Sequence, residues 1–179
     1  MNGRLKEGNG MSFKKAVPVG IFSGAAAAAV LFLLELLFQP YLPESLQKNA
    51  GSRSLTETIG GMFYGGITEE LLLRWGVMSF LVWLLWKLFQ RSRQVPSAAI
   101  FWIGILVSAL LFALGHLGAT ALVAPLTAAV WARMLLLNGI AGLVFGWLYW
   151  KKGLEIAMLS HAFLHITTTA ITTVWVSFQ

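Results

Sequence analysis

The 179-residue chain has no cysteine and no aspartate, only three histidines, and few charges of either sign, 11% in all. Without cysteine there is no disulfide, no thiolate nucleophile and no cysteine-ligated zinc, and nothing reports the redox compartment. Without aspartate there can be no paired intramembrane aspartates, and the Gly-x-Ser-x-Gly elbow of serine hydrolases is missing as well. Seven acids, all glutamate, stand against thirteen Lys and Arg, a net charge of +6 with a pI near 10. That excess would suit nucleic acid if it formed a patch. It is split instead into short clusters beside apolar runs, where cations act as topology signals, so no nucleic-acid partner is expected.

What the chain does have is hydrocarbon. Hydrophobic residues make up 58% of it and the mean hydropathy is +0.75, which belongs to polytopic membrane proteins. A soluble chain of this length has too little interior to hide so much apolar surface. The expected fold is all-α, a polytopic integral membrane bundle of about five to six transmembrane segments. It is read as a single transmembrane domain over residues 16–179, behind a basic tail over residues 1–15.

The first apolar run, Ala16 to Phe38, is long enough to span a bilayer and too long for a cleavable signal; Gly20 and Gly24 give it a small-residue face for close helix approach. Glu35 near its far end reads as interfacial. A loop from Gln39 to Leu55 carries Pro40, Pro43 and Gly51, and a helix then runs from Thr56 to Phe89, longer than a bilayer requires, so that it either tilts and projects or bends near Gly65-Gly66. The third segment is Ser97 to Leu117. Ala119 to Val130, interrupted by Pro125, suits a connecting or partly re-entrant stretch. Trp131 to Trp150 has Gly142 and Gly146 at close-packing spacing, and Leu154 to Phe178 is the last segment.

Ionisable residues inside these segments cost about 2.5–3.5 kcal/mol each on insertion scales and need a reason. Glu70 and Arg74, four apart with the acid first, suit an ion pair on one helix face. Glu69 is rotated by about 100° from Glu70 and points into a different space. The bland reading makes all three a packing clamp; the sharper one makes Glu70 and Arg74 the clamp and leaves Glu69 as a working carboxylate. His116 ends the Phe112-x-x-x-His116 stretch, and His161 and His165 share a helix face that Thr168 and Thr172 continue. Taken singly, each histidine is explained by capping or packing. All three of them, however, fall on apolar segments, together with the acidic pair.

In that order, Glu69-Glu70-x-x-x-Arg74, Phe112-x-x-x-His116 and His161-x-x-x-His165 resemble the motifs of the CPBP intramembrane proteases. That group includes CAAX-type prenyl endopeptidases and bacteriocin-processing or self-immunity proteins. The resemblance covers roughly Ile59 to Thr169, with the Gly142-x-x-x-Gly146 approach and Gly153 to Ala157 ahead of the last helix. It implies that Glu69 is the catalytic glutamate, Glu70 and Arg74 its companions, and His116 and His161 the histidines of the second and third motifs. Where the family usually has Asn or Asp, this chain has His165. A tautomerically fixed imidazole can donate a hydrogen bond there.

Elementary chemistry points the same way. A glutamate desolvated in a membrane cavity is a plausible general base toward water, with His116 positioning the water or carrying a proton to the leaving amine, and His161 and His165 polarising the carbonyl. A rival arrangement has His116, His161 and His165, or Glu69, binding Zn²⁺ and activating water on the metal; against it, the His-Glu-x-x-His zincin pattern is absent. The metal-free glutamate mechanism is preferred and Zn stays open. The expected function is intramembrane endopeptidase action on a membrane-associated peptide or protein, prenylated or not. The alternatives are a non-proteolytic immunity or scaffold protein of the same fold, and a small proton-coupled carrier. The positive-inside rule puts the N-terminus in the cytoplasm of a prokaryotic cell. His161 then lies near the cytoplasmic end of its segment and His116 near the opposite end of its own, so the two meet only if helices tilt, break or re-enter.

Overall fold

A computed structural model describes residues 13–48 and 53–178. Most of the basic tail, with Arg4 and Lys6, lies outside the described residues. The described chain is helical: α1 (Phe13–Phe38), a short α2 (Glu44–Lys48), α3 (Leu55–Phe89), α4 (Ala98–Gly115), α5 (Leu117–Val123), α6 (Ala128–Lys152) and α7 (Leu154–Val176). Five stretches are long and apolar enough to cross a membrane. The chain is a polytopic helical bundle, as the hydropathy pattern requires. Its outer surface is apolar, with Phe22, Leu33, Trp75, Phe80 and Leu106 all more than half exposed, an arrangement that only lipid tolerates.

Local chemistry sets the boundaries. Ser54 caps α3 in a full capping box with Glu57, and Thr127 caps α6, each satisfying an otherwise orphaned N–H. The α3–α4 connection is closed by Gln90, whose side chain binds both the N–H and the hydroxyl of Ser97. Between α6 and α7 one residue, Gly153, reverses the chain at φ 100°, a conformation that side chains resist. Helix α6 begins at Ala128, three residues ahead of the expected start at Trp131. Residues 117–123 form their own short helix before the Pro125 break, so the connecting stretch is partly ordered.

Around Gly65-Gly66, α3 is wound as a π-helix over Gly61–Glu69 and Leu71–Met78. Its i→i+5 ladder gives the helix a wider turn, a form that concentrates at functional sites.

Close packing uses the predicted small residues. A Cβ on Gly24 would overlap the Ser160 carbonyl, and one on Gly20 would stand 3.1 Å from the Ile156 carbonyl. Helix α1 therefore lies backbone to backbone along α7. One on Gly142 would meet Ala109 at 2.9 Å, and one on Gly146 would meet Ile105 at 3.1 Å. The same contacts resolve the depth conflict. Gly20 faces Ile156, so α7 starts about five residues, roughly 7–8 Å, inside the start of α1, at about 1.5 Å per residue. That sets His161 near mid-depth.

Candidate active site

Glu70 and Arg74 are completely buried. Arg74 Nε stands 3.2 Å from Glu70 Oε2, too poorly aligned for a hydrogen bond, so the charges neutralise one another by proximity. The guanidinium is held between aromatic rings as well, 4.9 Å from the Phe112 centroid and 5.8 Å from that of Phe145, where the ring quadrupoles favour a cation. The second carboxylate oxygen of Glu70 takes a different partner. His161 Nδ1 donates to Glu70 Oε1 at 3.0 Å, because a carboxylate can only accept.

That bond sets the tautomer of His161. In the neutral imidazole the proton sits on Nδ1 and the lone pair on Nε2. The ring is clamped in place, stacked on Phe145 at 4.3 Å and 19° on one side and on His165 at 5.1 Å and 17° on the other. Its Nε2 faces Glu69, 4.0 Å from Oε2. Unlike its neighbour, Glu69 is only partly buried and, among the described residues, has no hydrogen bond or cation within bonding distance other than this approach.

His116 caps α4, and its ring folds back along the helix so that Nδ1 donates to the Phe112 carbonyl at 2.8 Å. It too presents Nε2 as a lone pair. The Phe112 ring bridges the two histidines, 4.8 Å from His116 and 5.8 Å from His161. This folding back, with the inset start of α7, lets side chains from opposite helix ends share one space.

That space is a cavity of about 170 Å³, lined by Glu69, His116, His161 and His165 together with Tyr64 and Asn138 among others. It exists because α3 presents glycine where the imidazoles approach. A Cβ on Gly65 would stand 2.8 Å from His161 Nε2 and 2.9 Å from His165 Nε2, and one on Gly61 would stand 2.7 Å from His165 Nδ1.

The expected polar stripe on α7 divides. His161 and His165 face the cavity, whereas Thr172 bonds back to the carbonyls of Thr168 and Thr169. The tie to α3 comes from Thr169, through Thr58 at 2.7 Å. Sequence reading missed Tyr64, Asn138 and the Arg53 contact with His165. For Asn138 a signal was available: it is the lone amide in an otherwise apolar span. Arg53 offered none, since its partner is 112 residues away.

Among the described residues no three His or Glu groups converge as a metal site. His165 is already committed through Nδ1 to the Arg53 guanidinium.

The sequence model of the family described as type II CAAX prenyl endopeptidase Rce1-like matches residues 16–167. The chain belongs to that family. Membership and the five apolar helices make it an integral membrane protein, and the family's general activity is that of a CAAX-type intramembrane endopeptidase. The matched stretch contains the acidic pair and all three histidines. No curated protein and no solved structure matches the chain.

Proposed function

We propose that the chain hydrolyses a peptide bond of a prenylated or otherwise membrane-associated peptide by a metal-free mechanism centred on Glu69. The observation that carries this reading is the shared cavity, into which one unpaired carboxylate, two imidazole lone pairs and one further imidazole project. Its volume of about 170 Å³ holds a handful of waters at roughly 30 Å³ each. That admits a scissile amide and its water; a bulky lipid chain would have to lie outside, along the apolar flank.

In this mechanism Glu69 takes one proton from water while the Nε2 of His161 or His116 accepts the other hydrogen as a hydrogen bond. The new C–O bond forms as the carbonyl oxygen gains charge. The oxyanion then accepts a hydrogen bond from His165, a type of stabilisation worth about 10²–10³-fold in turnover. When the C–N bond breaks, Glu69 returns its proton to the leaving amine, so the enzyme ends as it began. In neutral form His161 has no proton on Nε2. It therefore joins Glu69 and His116 in handling water, and carbonyl polarisation falls to His165 alone. Glu70 and Arg74 hold His161 in register without touching substrate.

Orientation belongs to the same proposal. Lys14, Lys15, Lys87, Arg91, Arg93, Lys151 and Lys152 lie at one end of the bundle, and Arg53 and Arg133 at the other. The positive-inside rule makes the first end cytoplasmic, so Arg53 and the face of His165 that it contacts lie toward the end away from the cytoplasm of a prokaryotic cell.

The test is incubation of purified protein with farnesylated and unmodified C-terminal peptides, wild type beside Glu69→Gln. Cleavage by wild type alone is expected. Equal cleavage by both would remove Glu69 from the chemistry, and protection against a bacteriocin that survives Glu69→Gln would favour an immunity scaffold.

A further inference from the structure

Arg53 immediately precedes Ser54, the cap of α3, and belongs to no membrane-length helix. Its Nη1 stands 3.2 Å from Nδ1 of His165. A guanidinium has only donors and no lone pair, so the bond runs one way: Arg53 donates and Nδ1 accepts. A neutral imidazole has a single N–H, and in His165 it must be on Nε2. That nitrogen is the one that points past Gly65 beside His161 Nε2.

The other two histidines have the opposite arrangement. His116 and His161 bond through Nδ1 to a carbonyl and a carboxylate, both of them acceptors, and so turn lone pairs to the cavity. Without Arg53 nothing in the geometry prevents His165 from doing the same, and the cavity would then lack an imidazole donor.

Among the described residues, no carboxylate forms an ion pair with Arg53. The acid closest to it in the chain, Glu57, directs its carboxylate at the Ser54 N–H and hydroxyl at 2.7 and 2.8 Å. Burial pushes the Arg53 guanidinium below its ordinary value and Glu57 opposes this; an arginine nevertheless stays protonated at any working pH.

We propose that Arg53 is a positioning residue that locks His165 in the Nε2–H tautomer, and so supplies the hydrogen bond to the substrate carbonyl. Its consequence for turnover rests on the peptidase reading; the tautomer assignment does not. The inference also accounts for a histidine at this position: an imidazole held from behind by a cation presents the same N–H that an amide would.

With only three histidines in the chain, the test is direct. The full-length protein, labelled with ¹⁵N in its histidine rings and reconstituted in nanodiscs, is read by imidazole nitrogen NMR, with His165→Gln assigning that ring. One Nε2–H ring and two Nδ1–H rings are expected. Arg53→Met should turn the His165 signal into a mixture of tautomers while the other two rings keep theirs. In the farnesyl-peptide assay it should lower kcat by about tenfold or more with KM changed by less than about twofold, the pattern of an interaction made in the transition state. Arg53→Lys, which also donates, should restore the tautomer and most of the turnover, and Arg53→Glu, which accepts, should invert it.

Identical His165 signals in wild type and Arg53→Met, or a wild-type His165 bearing Nδ1–H, would overturn the proposal. If wild type cleaves no peptide, the peptidase reading falls and the spectra still decide for or against Arg53.

Discussion

Glu70 and His161, 91 positions apart in the chain, meet at 3.0 Å in the closed interior of the bundle. Through this contact two adjacent glutamates acquire different surroundings. Glu70 is sealed between Arg74 and an imidazole N–H, while Glu69, one residue earlier, opens onto the cavity with neither. Burial and partners separate the two roles, which residue type alone leaves equal.

The pair should therefore separate under mutation. Glu69→Gln should cut turnover by about 10²-fold or more, the scale of general base loss, and leave the thermal midpoint in detergent near wild type. Glu70→Ala strands a buried guanidinium and the N–H of His161, so it should cost about 3–5 kcal/mol and lower the midpoint sharply. Melting curves beside rate measurements check both, and equal destabilisation by the two changes would contradict the assignment.

Gly65 offers the most local probe of the cavity. Gly65→Ala places a methyl group within 3 Å of the Nε2 atoms of both His161 and His165. Rings displaced by about 1 Å should lose about 10²-fold in kcat. Gly60→Ala is the control, because a Cβ there meets nothing within 4 Å; it should behave as wild type.

At the Arg53 end of the bundle, Arg133 Nε donates to Glu35 Oε2 at 2.7 Å, both side chains being partly exposed. This contact ties α1 to α6. A double-mutant cycle with Glu35→Gln and Arg133→Gln should give a coupling on the order of 1 kcal/mol, as expected for a partly solvated charge pair. A coupling of zero would make the contact incidental.

Because the chain has no cysteine, its topology can be mapped with single introduced thiols in intact cells. Ser92→Cys should resist an impermeant maleimide and Gln47→Cys should react with it, given the cation-rich end inside. The reverse labelling would invert the orientation and bring the Arg53 end to the cytoplasm.

Much of this was legible in the amino-acid sequence, and for local reasons. Hydropathy and run length define membrane helices, because every backbone polar group in lipid must be satisfied within its own segment. The Glu70–Arg74 pair and the Gly20, Gly24, Gly142 and Gly146 faces are local in the same sense: helical spacing makes each a property of one segment. The order of the acidic and histidine motifs was legible too, and the stretch that the family model matches contains them.

What only the tertiary structure decided is everything that depends on distance between helices. The Arg53 bond to His165, the Glu35–Arg133 tie between α1 and α6, and the place of Asn138 and Tyr64 at the cavity all follow from how the helices are set against one another. The protonated nitrogen of each imidazole is fixed in the same way. Three identical side chains differ because the groups behind them are a carbonyl, a carboxylate and a guanidinium, and for His161 and His165 those groups come from another part of the chain.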